Sequence, residues 1–332
     1  MDVVFYEVFE EEKKALNRFL PHEIHAQFSV ATAQSEKAPK PPAKLISVRT
    51  QSLLPPDWAP HLSGILTRST GFDHLQEYLW RTGQKIPCGY LPSYCARSVA
   101  EHAILTVLAL LRRFKKQIRH FDAFNRNDLT GSECLGKNLL VAGVGSIGRE
   151  IVNLGRGMGM RVQGADLLRP VPDLDYVTLE EGIPSADILI CALPLTPLTR
   201  GLLNYELLSA AKKGLIFVNI SRGEISPAGD LRRLLEKGIL DGISLDVHED
   251  ESTLSDYLRS SKGVLSESGE ETLLLKDKDN VILTPHNAFN TQEALQRKAR
   301  QSAEAVAAFL KSGSFPNAVP AENPGRRPVG AG

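Results

Sequence analysis

Through the first hundred residues, short apolar runs alternate with stretches whose apolar positions recur at helical spacing. Residues 3–6, 26–30, 45–48 and 65–68 read as strands, and 10–19 as a helix. Strands separated by helices predict a small α/β unit. Residues 35–44, rich in proline, lysine and alanine, read as a surface loop. From Arg97 to about Phe114 the apolar residues, among them Val99, Ala103, Val107 and Leu111, spread around most of a helical circumference. Such a helix must be buried on several sides. It is expected to cross from the first unit to the second, and its surplus apolar face could meet a second copy of the chain.

The pattern then changes. Residues 138–142 form a nearly continuous apolar strand, Gly143, Gly145 and Gly148 follow in G-x-G-x-x-G spacing around Ser146 and Ile147, and Ile147, Ile151, Leu154 and Met158 recur at helical spacing. A second strand, 160–165, ends at Asp166. In such a strand–turn–helix the first glycine permits the turn, the second lets backbone approach a pyrophosphate, and the third allows close packing; the carboxylate takes the ribose hydroxyls. The constellation predicts a dinucleotide site, and the acidic Asp166 favours NAD over NADP, although Arg169 stands nearby.

Further strands are read at 188–193, 215–220, 243–247 and 281–285, with a helix capped by Ser226, begun at Pro227 and closed by Gly238. Asn290 with Glu293 predicts a capped helix running to about Lys311. The polar segment 252–279 looks like an insertion, and the tail from Asn317 is expected to be mobile. The fold class expected is α/β. A doubly wound parallel-sheet (Rossmann) domain, 98–287, is inserted into a smaller flavodoxin-like domain formed by 1–97 and 288–332.

Composition narrows the partners. A hydrophobic share of 42% and a charged share of 23% describe a globular chain. Lys plus Arg and Asp plus Glu balance at 39 each, so charge argues for neither nucleic acid nor an anionic membrane. The strongly apolar stretch 103–111 is too short to span a bilayer, and the N-terminus lacks the basic-then-apolar order of a signal segment. Cytoplasmic location is the default. The cysteines at 88, 95, 134 and 191 have no metal-ligand spacing and read as reduced thiols, Cys95 as a buried one.

Ligands of a doubly wound sheet lie outside the carboxyl ends of its strands, and here those ends are polar. One strand ends in Ser221-Arg222-Gly223, one contains Asp246 and leads to His248-Glu249-Asp250-Glu251, and one ends in His286-Asn287. Hydride transfer needs a proton donor and acceptor, which His286 can be, and a cation for an anionic substrate, which Arg222 can be. Zinc is discounted, since no second histidine stands at a fixed local spacing from His248.

At these residues the sequence resembles the D-isomer-specific 2-hydroxyacid dehydrogenase family. The motifs that carry the resemblance run in order: Leu66-Thr67-Arg68-Ser69-Thr70-Gly71-Phe72-Asp73, Leu91-Pro92-Ser93-Tyr94, Val99-Ala100-Glu101-His102-Ala103, the glycine run, Leu193-Pro194-Leu195-Thr196, Asn219-Ile220-Ser221-Arg222-Gly223, Leu245-Asp246-Val247 through Glu251, and Thr284-Pro285-His286. The resemblance implies NAD-dependent reduction of a small 2-oxo acid to the D-2-hydroxy acid, and the surplus apolar face of the 97–114 helix adds the expectation of a homodimer. It assigns the substrate carboxylate to Arg222, acid–base catalysis to His286 and support of that histidine to Glu251. Backbone amides of Thr70 and Gly71 would take the other carboxylate oxygen, and Tyr94 would line the pocket. Asp246 would face the nicotinamide carboxamide, with Pro194, Thr199 and Ser221 also on the cofactor. The run Pro285-His286-Asn287-Ala288-Phe289-Asn290 looks most like the D-lactate dehydrogenase branch, Phe289 shaping the pocket. Rival readings on the same fold are an NADH-sensing co-repressor and phosphite, hydroxypyruvate or formate dehydrogenases; Glu251 argues against the last.

Overall fold

The computed structural model describes residues 1–36, 38–260 and 264–320. In chain order the elements are β1 (Val3–Phe5), α1 (Glu10–Phe19), β2 (Ala26–Phe28), β3 (Leu45–Val48), β4 (Gly64–Thr67), α2 (Asp73–Thr82), β5 (Cys88–Gly89), α3 (Ala96–Leu111) and α4 (Phe114–His120). There follow β6 (Asn138–Ala142), α5 (Ser146–Gly157), β7 (Arg161–Ala165), β8 (Asp175–Tyr176), α6 (Leu179–Gly182), β9 (Ile188–Cys191), α7 (Tyr205–Leu208), β10 (Leu215–Asn219) and α8 (Ala228–Glu236). The last are β11 (Leu240–Leu245), α9 (Glu251–Ser260), α10 (Glu267–Leu275), β12 (Val281–Leu283) and α11 (Gln292–Ser312). Two compact units result, one of Met1–Cys95 with the chain from Asn290, the other of Ala96–Phe289.

The first unit holds a parallel five-stranded sheet in the order β2-β1-β3-β4-β5, the flavodoxin-like order. β1, β3 and β4 are buried along their whole length, which is why they read as unbroken apolar runs. Val4, Tyr6, Ile46, Trp58 and Ile65 centre one core cluster. Against this apolar background stands a buried ionic group. Arg68 is fully buried and donates from Nε to Glu12 Oε1 at 3.0 Å and from Nη1 to Ser47 Oγ at 3.1 Å. Lys298 of α11 places Nζ 2.9 Å from the same Glu12 oxygen. Burial alone would push the Glu12 carboxyl up, but the Arg68 and Lys298 cations outweigh it and bring it down to about 2. Burial pulls the Lys298 ammonium down to about 7 in spite of Glu12.

The second unit is a parallel seven-stranded sheet in the order β12-β11-β10-β9-β6-β7-β8. The strand order reverses beside β6, which lies between β7 and β9, and a ligand crevice is expected outside the carboxyl ends there. Leu140, Leu189, Phe217, Leu231 and Ile243 belong to a core cluster under its strands.

Several expectations need correction. The helix read from Arg97 to about Phe114 ends earlier, α3 stopping at Leu111, and Arg113, with a φ of 50°, turns the chain into a further helix, α4. α8 begins one residue later than expected, and the hydroxyl of Ser226 accepts from Asn219 Nδ2 instead of capping; the Ala228 amide is met by Glu249 Oε2 at 2.9 Å. α11 is capped by Thr291, whose side chain accepts from the Ala294 amide, and not by Asn290. In the polar segment read as an insertion, α9 and α10 are helices that bury Leu254 and Leu275; residues 261–263 lie outside the described residues. The tail does not leave the fold at Asn317. Its carbonyl accepts from the Tyr90 amide, and Val319 donates to the Cys88 carbonyl, so the chain pairs along β5; residues 321–332 lie outside the described residues. Among the described residues, no helix is long and apolar enough to cross a membrane.

Candidate active site

The glycine turn after β6 assigns a separate task to each glycine. Gly143 adopts a φ of 91°, and a Cβ there would lie 2.7 Å from the Ala192 backbone at the end of β9. Only glycine combines that conformation with that closeness. A Cβ on Gly148 would stand 2.0 Å from the Gly143 carbonyl oxygen, so the first turn of α5 sits directly on the glycine turn. Around Gly145 the space is open, nothing lying within 4 Å of a built Cβ. That opening is at the N-cap of α5, ahead of Ser146 and Ile147, where backbone amides and the helix dipole favour an anion.

Asp166 follows β7 and binds the turn itself, accepting from the Val144 amide at 2.6 Å and the Leu168 amide at 2.9 Å. A carboxylate has about four acceptor positions, which leaves two for ribose hydroxyls. Arg169 lies with its guanidinium 5.8 Å from the Tyr176 ring centroid, a cation–π contact. On the other side of the switch point, Thr199 Oγ1 donates to the Pro194 carbonyl at 2.6 Å, folding the turn after β9 back on itself. Ser221 is held by Asn219, whose Oδ1 accepts the Ser221 amide at 3.0 Å. The open glycine, the paired acidic residue and the adjoining turns fit a dinucleotide.

The strongest chemical grouping lies at the ends of β11 and β12. His286 Nδ1 stands 2.9 and 3.0 Å from the two oxygens of Glu251. A carboxylate only accepts, so Nδ1–H donates and Nε2 is the ring atom that can exchange a proton with a ligand. Backbone in the left-handed region stands on each side of the pair: His286 has a φ of 51°, and Asp250, immediately before Glu251, one of 47°. Non-glycine residues seldom occupy this region, and where they do the surroundings hold them. Asp246 is buried, and accepts from the Thr284 hydroxyl and the Asn287 and Ala288 amides. Arg222 follows β10 in extended backbone; its Nη1 donates to the Ser221 carbonyl at 2.8 Å, and its own carbonyl accepts from Asn219 Nδ2. Gly223 beside it is forced, since a Cβ would lie 2.0 Å from the His248 backbone.

The remaining residues expected at the site divide. Phe289 is buried in the second unit. Thr70, Gly71 and Tyr94 belong to the first unit, where Ser69 Oγ donates to the Gly71 carbonyl at 2.7 Å, Thr70 Oγ1 lies 3.5 Å from Cys95 Sγ, and the Tyr94 carbonyl accepts from Arg297. Burial pushes the Tyr94 phenol and the Cys95 thiol up, so Cys95 is a poor nucleophile. Two polar contributors carried no assignment from sequence. His102 Nε2 lies 3.3 Å from Thr284 Oγ1, and His248 Nε2 donates to the Thr284 carbonyl at 3.0 Å. Their signal was present, as the histidines of Glu101-His102 and Val247-His248, but nothing in the sequence aims them at Thr284.

Comparison with known proteins agrees with this chemistry. Residues 103–288 match the NAD binding domain of the D-isomer specific 2-hydroxyacid dehydrogenases. A D-specific alpha-keto acid dehydrogenase of Enterococcus faecalis is 33% identical over 235 residues, 70% of this chain and 71% of that protein. A glyoxylate reductase of Thermofilum pendens is 31% identical over 275 residues, 79% of this chain and 76% of its own. The D-lactate dehydrogenase of Aquifex aeolicus, solved with NAD and lactic acid, superimposes with a TM-score of 0.83 at 29% identity, covering 94% of this chain and 96% of that one. With the dinucleotide turn, the paired histidine and carboxylate and these likenesses in hand, the chain belongs to the D-isomer-specific 2-hydroxyacid dehydrogenases and is an NAD-dependent enzyme.

Proposed function

We propose that the protein reduces a small 2-oxo acid to the D-2-hydroxy acid, as a D-lactate dehydrogenase does. The observation that carries this reading is the bifurcated contact of His286 Nδ1 with both oxygens of Glu251, at 2.9 and 3.0 Å. It fixes the ring and leaves Nε2 for the substrate. The Gly145 opening, Asp166 and the turns of Pro194, Thr199 and Ser221 would hold the dinucleotide, which would supply the hydride for the carbonyl carbon. His286 gives its Nε2 proton to the carbonyl oxygen as negative charge gathers there, and Glu251 balances the charge of the imidazolium before the proton leaves. Arg222 pairs with the substrate carboxylate through two parallel N–H donors and polarises the carbonyl beside it. Thr70 and Gly71 are assigned the second carboxylate oxygen, Tyr94 a wall of the pocket, and Phe289 the limit on the substrate's side chain.

The three likenesses carry different substrate names, so the choice of acid falls to assay. NADH oxidation across 2-oxo acids of increasing side-chain length, repeated with NADPH, reads both the acid and the cofactor. The expected result is turnover confined to small acids with NADH, lost by ~10²–10⁴ in His286→Ala. Undiminished turnover in that variant sinks the assignment, and tight NADH binding with no turnover of any acid supports a sensor instead. We also infer a homodimer, because Leu105, Phe114, Ile118 and Phe121 are exposed along α3 and α4, more apolar surface than scattered single residues present. A monomeric mass by light scattering at micromolar concentration counts against it.

A further inference from the structure

The turn carrying His286 needs an external hold. The His286 amide donates to the Thr284 carbonyl at 3.0 Å, and its φ of 51° is one that an unrestrained histidine seldom keeps. Asp246 supplies the hold. One of its oxygens accepts the Thr284 hydroxyl at 2.6 Å and the Asn287 amide at 2.9 Å, and the other accepts the Ala288 amide at 2.9 Å. The two peptide groups after His286 are therefore clamped by one carboxylate whose side chain is 2% exposed. With about four acceptor positions on a carboxylate, three are spent on this clamp, and the expected carboxamide contact takes what remains.

The clamp is itself oriented from α3. The Thr284 hydroxyl has a single proton and gives it to Asp246, which can only accept. The 3.3 Å contact between Thr284 Oγ1 and His102 Nε2 then has one polarity, Nε2–H donating to the hydroxyl oxygen. The same nitrogen lies 3.8 Å from Asp246 Oδ1. A directed chain runs from His102 through Thr284 to Asp246 and ends on the amides next to His286.

We propose that His102 is a positioning residue for hydride transfer: its Nε2–H fixes the Thr284 hydroxyl, the hydroxyl fixes Asp246, and the Asp246 clamp keeps the His286 ring against Glu251. The proposal deepens the catalytic reading and rests on His286 being the acid–base group. Misplacement of a reacting group by about 1 Å costs ~10²-fold in rate, which sets the scale of the expected effect.

Four variants test it: His102→Leu, His102→Gln, Thr284→Val and the double variant His102→Leu/Thr284→Val. Expected are losses in kcat of ~10²-fold in each single apolar variant, a double variant no worse than either, and recovery of most of the loss in His102→Gln, whose amide returns a donor near Nε2. Should His102→Leu fail to fold, Thr284→Val against Thr284→Ser makes the same comparison. A readout independent of turnover is the His286 Nδ1 proton bonded to Glu251, recognised in proton spectra by its absence from His286→Ala. It should vanish or shift in His102→Leu and persist in His102→Gln. Unchanged kcat with an unchanged Nδ1 resonance overturns the proposal, as do losses that multiply in the double variant. If the unmodified protein turns over no 2-oxo acid, the catalytic reading falls, and the Nδ1 resonance still decides whether His102 positions the ring.

Discussion

Two carboxylates in this chain each hold a basic side chain at 2.9 Å, Glu12 with Lys298 and Glu251 with His286. The first pair is 0% and 1% exposed, the second 23% and 21%. Distance is the same and the consequence is opposite. In the first unit Arg68 joins the pair, no ligand can reach it, and the whole of its electrostatics acts on the fold. In the second unit the remaining accessibility leaves room for the proton exchange proposed for the histidine, and backbone in the left-handed region at Asp250 and His286 constrains the two sides of the pair. An ion pair in the middle of a sheet unit is thus no sign of chemistry; accessibility and constrained backbone beside it are.

The contrast is broken most severely at Glu12. Glu12→Gln keeps the volume and removes the charge, leaving Arg68 and Lys298 buried without their counter-ion, and should lower stability by ~3–5 kcal/mol in chemical denaturation. Adding Lys298→Met should recover part of that loss, because one uncompensated cation is then gone. A Glu12→Gln protein as stable as the parent would show that the group is not the closed charge cluster described. Glu251→Gln reverses the pattern. Its unfolding transition should be unmoved while kcat falls by ~10²-fold or more, since the imidazolium loses its countercharge.

The glycine turn repeats the same division on a smaller scale. Gly148→Ala forces a Cβ to within 2.0 Å of the Gly143 carbonyl and should destabilise by ~1–3 kcal/mol. Gly145→Ala fills open space, so the protein should fold normally and bind NADH ~10-fold more weakly in a fluorescence titration. Equal affinities in Gly145→Ala and the parent would place the pyrophosphate elsewhere.

Sequence reading recovered the features with a local signature and lost those without one. Both parallel sheets were legible because fully buried strands print as apolar runs, and the glycine turn because its conformation admits so few residues. His286 and Glu251 were legible as members of motifs, yet 35 positions separate them and only the fold shows that both oxygens face one nitrogen. The short edge strands β5 and β8, of two residues each, carry no periodicity to read. Helix caps slipped by one residue at Ser226 and Asn290 because Glu249, distant in sequence, and Thr291, equally suited chemically, do that work. Lys298 was invisible for a similar reason: on a helix of alternating polar residues a lysine reads as solvated, and nothing local announces that Glu12 and Arg68 stand opposite.

Near neutrality the smallest effect belongs to that lysine, and pH separates the two pairs. The Glu12 carboxyl, at about 2 in the fold against 4.5 for the free group, adds stability that is complete above 4.5 and is lost as pH falls toward 2. For Lys298 the folded value of about 7 lies below the free value of 10.5, so between them the unfolded chain binds the proton that the folded chain does not. Stability therefore rises with pH across that upper window, by at most ~1.4 kcal/mol per unit. Lys298→Met removes this contribution. Methionine keeps most of the volume and Arg68 still pairs with Glu12, so near neutrality the substitution should alter stability by no more than ~1 kcal/mol. As pH climbs, the parent should gain on the variant, and denaturation curves taken across the alkaline range read that gain directly. Parallel curves would mean that Lys298 keeps an ordinary ammonium in the fold, and the cluster around Glu12 would then be a solvated pair much closer in kind to the one at His286.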